Sequence, residues 1–271
     1  MAHGHSHHCG GMLTLDTLAA HSGLRGVSPG LKTAFSVFVL LLCVGAADAV
    51  VGIAVALSMM VLMWLLGKVS PGQIFQLLRI PLLFAVVSCT VILLELGHVP
   101  SGIWQLQVGN LRFCVTRQSL HHAFTLFFQA MGAVTCLYFL SATTPMPQLI
   151  AVLRRCHVPE LVIELMYLIY RYLFVLLDVQ QKLTIAASAR LGYAGARRSV
   201  ATAGRVSGAL LASSFRRSSL CYDAMEARGY DGKLRFLTRT PPLQKKHVLW
   251  AAAYCLALLA LILVRKGWLH L

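Results

Sequence analysis

Charge is what this sequence has least of. Only 12% of its 271 residues are Asp, Glu, Lys or Arg, while 58% are hydrophobic; a soluble domain carries roughly 25% charged residues. One soluble core cannot hide so much apolar side chain, so a second apolar solvent is required, and lipid supplies it. A cysteine framework is also missing. The eight cysteines include no C-x-x-C pair, and Cys43, Cys89, Cys136 and Cys255 lie inside apolar runs, where free thiols behave as small buried hydrophobes. The first thirty residues contain no apolar h-region, so no cleavable signal peptide is expected. No G-x-x-x-x-G-K-[ST] phosphate loop occurs: Gly67-Lys68 is followed by Val69, and Gly30-Leu31-Lys32 breaks the spacing. ATP hydrolysis by that chemistry is excluded. The apolar runs lack the inward acids and histidines of an ion path, since Glu95, His121 and His122 fall near run ends. The absence of H-E-x-x-H removes the usual intramembrane metalloenzyme.

What charge there is sits in one place. Of the 24 Lys and Arg residues, 16 lie between Thr144 and Lys246, with 6 of the 9 acids, and the whole chain carries +15. A basic patch can signal nucleic acid, but beside so much apolar sequence the simpler cause is retention on the cytoplasmic side by positive charge. No nucleic-acid partner is expected; the bilayer is.

Five runs read as membrane-spanning helices: Leu31–Ala47, Ala49–Gly67, Ile80–Gly97, Ser119–Ser141 and His247–Val264. About twenty apolar residues cross a hydrocarbon core, so the first run is short. Asp48 alone separates it from the second, which implies a tight hairpin or partly re-entrant helices. Runs without period-two alternation are helical, and lipid admits only helices and closed barrels. The fold class is therefore an all-α membrane protein of about five spans. Residues 1–30 form a tail and lead-in, 31–143 the first four spans, 144–246 a cytoplasmic or interfacial region, and 247–271 the last span with its tail. Arg25, Lys32, Lys68, Arg79 and the basic region share one side if the N-terminus is cytoplasmic. The loop His98–Gln118 and the tail Arg265–Leu271 then face outward.

Within 144–246, Pro145 and Pro147 stop the fourth span and Gln148–His157 reads as a short amphipathic helix. A longer helix runs from Glu160 to about Ala189. Its Glu160, Glu164, Arg171 and Asp178 recur at spacings of four and seven and so share one face. Four charges in one stripe favour a helix at the membrane surface or packed among others over a sixth span. Arg197–Ser214 is rich in Ala, Gly and Ser, and a second polar helix, Leu220–Arg228, follows it.

Two segments of this region repeat each other. Ser188-Ala189-Arg190-Leu191-Gly192-Tyr193-Ala194-Gly195 and Glu226-Ala227-Arg228-Gly229-Tyr230-Asp231-Gly232 both read Ala-Arg, then Gly-Tyr-x-Gly, with an extra Leu in the first. Each sits where a helical pattern ends. Gly just past the last turn is a common cap, and Arg in that turn complements the helix dipole. Capping alone requires neither Ala before Arg nor a second copy. Duplication points to a target that is itself present twice, with a guanidinium fork able to clamp a carboxylate in a groove.

At these residues the chain resembles the transmembrane (T) component of energy-coupling-factor importers, members of the ABC transporter class, and within it the cobalt type. That family carries two Ala-Arg-Gly signatures on cytoplasmic coupling helices, each docking one ATPase of a pair. Ala227-Arg228-Gly229 matches outright, and Ala189-Arg190-Leu191-Gly192 departs by one Leu. The resemblance runs from Ser28-Pro29-Gly30-Leu31-Lys32 to the last helix. It implies a non-catalytic subunit of a multi-pass bacterial cytoplasmic membrane importer. Its partners would be two ABC-type ATPases, which hydrolyse the ATP, and a separate membrane subunit that binds cobalt, or nickel next; this chain would bind no cofactor itself.

The N-terminus holds His3, His5, His7, His8 and Cys9, ligands that suit cobalt, nickel or zinc. A loose cytoplasmic metal-binding tail is expected. The other functional class is a self-sufficient metal channel or secondary transporter with this tail as its sensor.

Overall fold

The computed structural model describes residues 19, 22–93, 95–96, 104–108, 111–115, 117–232 and 244–269. The chain divides into two compact units, Met1–Leu149 with Thr240–Leu271, and Ile150–Arg239.

The first unit begins with a 3-10 turn, Gly23–Gly26, and helix α1, Pro29–Ala46. Ser28 caps α1 by accepting the Leu31 amide and Pro29 occupies its first turn. Ala47 takes a left-handed conformation (φ 48°) and Asp48 caps helix α2, Ala49–Leu65, by accepting the Val50 amide. Two linking residues make the tight hairpin allowed by the sequence. At 17 residues, α2 is about 26 Å long, just short of a hydrocarbon core. Helix α3, Pro71–Leu93, starts nine residues before the expected Ile80 (80 − 71) and keeps Pro81 inside it. The Gln73 side chain accepts the Ser70 amide, which sets this earlier start.

Beyond α3, Glu95–Leu96 (β1), expected as the end of the third span, forms instead the edge of a small antiparallel sheet with Trp104–Val108 (β2) and Leu111–Val115 (β3) of the expected outer loop, in the order β1-β3-β2. The β2–β3 ladder runs antiparallel from Trp104 against Val115 to Val108 against Leu111. Helix α4, Arg117–Thr143, then returns. After the second unit, helix α8, Lys245–Leu269, closes the chain. Among the described residues, α1, α3, α4 and the Lys245–Arg265 part of α8 are long and apolar enough to cross a membrane, with α2 a shorter apolar helix. The membrane fold is all-α, with the small sheet as an appendage.

The core of this unit forms where α1 and α2 meet α4, around Val39, Cys43, Val51, Val55, Met59, Cys136 and Phe139. Close approach depends on two glycines. A Cβ on Gly52 would lie 2.6 Å from the Phe128 carbonyl, and one on Gly132 2.9 Å from the Gly52 oxygen. Ser36 bonds the Cys136 carbonyl (2.9 Å) across the same seam. Lys32, expected at the cytoplasmic edge, is only 3% exposed. Its ammonium donates to the Thr143 carbonyl (3.0 Å), capping α4 with a positive charge. At the opposite end of α1, Arg265 of α8 grips Asp48 with two hydrogen bonds, 2.8 and 3.2 Å. That hydrogen-bonded guanidinium holds the Asp48 carboxyl below its ordinary range.

The second unit takes in most of the short helix α5, Met146–Arg155, with the long helices α6, Glu160–Ala189, and α7, Ala196–Glu226. The expected break between Ser214 and Leu220 is absent, and α7 is one helix of 31 residues. Not one of those residues is buried, and in α6 only Ile163 and Glu164 are.

Candidate functional site

The two repeated segments fold into the same helix end. At the close of α6, the Leu191 amide bonds the Ser188 carbonyl (3.0 Å) and the Gly192 amide the Ala187 carbonyl (2.9 Å). At the close of α7, the Gly229 amide bonds Glu226 (2.9 Å) and the Tyr230 amide bonds Met225 (3.1 Å). The second pair of bonds is the first shifted by 38 residues (191 to 229, 192 to 230), and it is the Schellman pattern of helix termination. Arg190 and Arg228 also match, their amides bonding Ala187 and Met225.

This register corrects the reading of Leu191 as an insertion ahead of the glycine. Leu191 (φ 56°) stands where the other copy has Gly229 (φ 74°), in the left-handed region. Gly192 therefore corresponds to Tyr230, and the two signature glycines have different tasks. Gly229 has open space around its Cβ direction, so its freedom of φ is what the turn uses. Gly192 needs no unusual φ. A Cβ there would lie 2.9 Å from the Ala187 oxygen and 3.0 Å from Thr202, whose hydroxyl donates to the Gly192 carbonyl at 2.8 Å. Leu191, 71% exposed, holds a conformation that disfavours any side chain with a Cβ.

Ala189, Arg190, Ala227, Arg228 and Gly229 are all exposed. Neither guanidinium has a hydrogen-bond or ion-pair partner among the described residues. Each arginine is an exposed five-donor fork beside a small residue, on a helix end of its own.

Helices α6 and α7 run antiparallel. Gly192 meets Thr202 at the closed end, Tyr172 meets Cys221 farther along, and Tyr230 donates to Glu164 (3.1 Å) near the start of α6. The paired numbers keep a constant sum of 393 or 394 (192 + 202, 172 + 221, 164 + 230), as two straight antiparallel helices require. Arg190 thus lies at one end of the pair and Arg228 at the other. The 26 residues from Glu164 to Arg190 (190 − 164) set the ends about 39 Å apart at 1.5 Å per residue.

Of the expected charged stripe on α6, Glu164 alone turns inward, 6% exposed. Asp178 pairs with Lys182 (2.7 Å) and Glu160 with Arg154 (3.7 Å) in the open. Desolvation first, and then the neighbouring Glu164, push the Tyr230 hydroxyl above its ordinary value, so it stays protonated as a donor at neutral pH. Tyr230, Glu164 and Thr202 have tasks that the repeat does not reveal; the one local sign is an acid, Glu164, in an otherwise apolar stretch. The metal-tail residues His3, His5, His7, His8 and Cys9 lie outside the described residues. Among the described residues no three His, Cys, Asp or Glu gather as a metal site.

A family model described as cobalt transport protein, CbiQ, matches residues 21–238, which include both caps. The chain is 27% identical to an uncharacterised Methanocaldococcus jannaschii protein, over 93% of each chain. It is 31% identical to a putative fused cobalt transport protein, CbiMQ, of Methanocorpusculum labreanum, over 80% of this chain and 36% of that one. It is 32% identical to the cobalt transport protein CbiQ of Rhodobacter capsulatus, over 60% of this chain and 66% of that one.

Proposed function

The chain belongs to the CbiQ cobalt transport protein family, and from that premise we propose that it is the coupling subunit of an ATP-driven divalent-metal importer, with cobalt as the metal. It is a multi-pass membrane protein. On this reading it moves no metal by itself. Two cytoplasmic ABC-type ATPases dock at Arg190 and Arg228, and their motion passes along α6 and α7 to a separate membrane subunit that binds the metal. The N-terminus and the second unit lie in the cytoplasm.

One observation carries the reading: the same arginine-bearing helix end occurs twice, at opposite ends of one helix pair, and neither guanidinium has a partner among the described residues. A cap that served its own helix would need only one copy and would turn its cation to its own carbonyls. Two open forks about 39 Å apart suit a partner that presents the same acidic groove twice, as a pair of identical or similar ATPases does. Beside each fork an alanine keeps the helix end slim enough to enter a groove.

The test is co-purification of tagged ATPases with Arg190→Ala, Arg228→Ala and the double variant, alongside metal uptake. Truncating one partner of a desolvated charge pair costs roughly 2–5 kcal/mol, a loss of about 30-fold or more in contact affinity at about 1.4 kcal/mol per tenfold. The double variant should release both ATPases from an intact membrane fold, and lysine should rescue poorly because a point charge cannot reproduce the fork. Normal complexes and normal ATP-driven uptake in the double variant would defeat the proposal.

A further inference from the structure

We propose that α6 and α7 form a crossbar whose two ends are set by hydrogen-bond latches, Thr202 to Gly192 and Tyr230 to Glu164, which hold Arg190 and Arg228 at a fixed spacing and aim. The inference rests on the docking reading above and assigns positioning residues to it. Its ground is a symmetry between the two caps that the signature does not contain. In each copy, the residue two places after the arginine is hydrogen-bonded to the other helix: Gly192 accepts from Thr202 of α7, and Tyr230 donates to Glu164 of α6. The chemistry differs at the two ends while the position is the same. At the first, a side chain donates to a backbone carbonyl at 2.8 Å. At the second, a phenol donates to a buried carboxylate at 3.1 Å.

The first latch is a close-contact device. The space that a Gly192 Cβ would take is occupied by Thr202 and the Ala187 carbonyl, so glycine is needed there for the helices to meet at all. The second spans the pair at its open end, where no covalent turn joins the helices. Glu164 is one of only two buried residues on α6, so Tyr230 anchors on the most fixed part of that helix. Polar ties weigh heavily in this pair because α7 buries none of its residues and apolar packing cannot hold it in place. A force applied at Arg228 meets a latch two residues away, and the same holds at Arg190. The two docking points then move as one body, and a stroke at either end reaches α6.

Spin-label distance measurement on the full chain in lipid nanodiscs tests the latches. Labels enter through an encoded azido residue replacing Ala186 and Ala224, both exposed and each four positions before its arginine, which spares the native thiols. The native pair should give one narrow distribution. Tyr230→Phe and Thr202→Val, which remove only a hydroxyl, should each broaden it at least twofold. Glu164→Gln and Thr202→Ser, which keep the acceptor and the donor, should leave it narrow. In the assembled importer, the two hydroxyl-deleting variants should bind ATPases within about threefold of the native chain, yet transport at least threefold less metal per ATP. Unchanged widths in Tyr230→Phe and Thr202→Val would overturn the crossbar, and so would broader widths with unchanged metal per ATP. The distances are read without ATPases, so their outcome is separate from that of the arginine variants. If Arg190→Ala and Arg228→Ala fail to release the ATPases while the latch variants broaden, the docking reading falls and the latches stand.

Discussion

Leu191 holds a conformation that its side chain opposes, and replacing it should separate what serves the fold from what serves a partner. A left-handed residue with a Cβ costs roughly 1–2 kcal/mol. Leu191→Gly removes that strain and adds back roughly 0.5–1 kcal/mol of backbone entropy lost on folding. Little packing is forfeited, because the side chain is 71% exposed. The balance is a gain of about 1 kcal/mol in the closed cap, or about a fivefold shift in its opening equilibrium. The amide of Gly192, bonded to the Ala187 carbonyl at 2.9 Å, reports that opening directly. Hydrogen exchange at this amide should slow about fivefold in Leu191→Gly. In Gly229→Ala, where φ is 74° and the surrounding space is open, exchange at the Tyr230 amide should quicken by a similar factor. Strain kept at an exposed position points to use by something else, so Leu191→Gly should also weaken ATPase docking while it steadies the free chain. Faster exchange at Gly192 would refute the strain argument. Slower exchange with undiminished docking would refute the inference that Leu191 is kept for a partner.

Four further outcomes follow from the rest of the molecule. The Asp48 carboxyl is held low by Arg265, so its contribution is present above the unfolded-state value near 3.9 and fades as pH falls through the lower folded value. Asp48→Asn should melt slightly lower at neutral pH, the pair being partly screened with Arg265 half exposed, and should show a smaller drop in thermal stability below about pH 4 than the native chain; equal acid profiles would count against the pairing. Gly52→Ala must displace backbone at Phe128 and should destabilise by about 1–3 kcal/mol in a thermal melt, whereas Gly204→Ala, in open space on α7, should be neutral or stabilising. Deleting Ala2–Gly11 should remove most divalent-metal binding in equilibrium dialysis while ATPases still co-purify, and loss of assembly would sink the loose-tail reading. Thiol reagents added outside intact cells should label a cysteine placed at Leu271 and not one at Gly204; the reverse would overturn the proposed topology.

The apolar runs were readable because lipid imposes a length on them, and the helix ends because Gly, Pro and Ser act locally. Ser28-Pro29 opens α1 as such a pair should. What escaped depends on contacts that sequence order does not reveal. Between the expected segments Arg197–Ser214 and Leu220–Arg228 the helix continues, and Ser214 and Ser219 turn their hydroxyls back to the carbonyls of Leu210 and Phe215. Trp104–Val108 alternates apolar and polar residues, a strand signal within the expected outer loop, whereas Leu111–Val115 does not alternate and owes its strand to pairing on both sides. Glu164 belonged by periodicity to an exposed stripe. It is 6% exposed instead, and Tyr230, 66 positions downstream, donates to it. The left-handed Leu191 had no sequence signal, since Leu is among the residues least expected there.

The arrangement of the second unit explains why its arginines would be useful only in company. A helix in a globular protein owes most of its stability to the packing of one apolar face. Here α7 extends for 31 residues without a buried one, and Val200, Leu211, Phe215 and Tyr222 stand exposed along it. These four recur at spacings of eleven, four and seven, which places them on one stripe, away from the Thr202 and Cys221 that meet α6. Arg198, Arg205 and Arg216 form a separate line, about a third of a turn round the helix from that stripe. Such a helix is complete only when something apolar covers the stripe and something acidic meets its arginines. Until then the pair is held by one covalent turn and a few polar ties. A stiff element with a large core would resist being pulled; one with no core would stretch and dissipate the stroke. A pair with little packing but latched ends lies between these limits, since on the proposed reading it would shift as a body against its surroundings while the distance between Arg190 and Arg228 stays fixed.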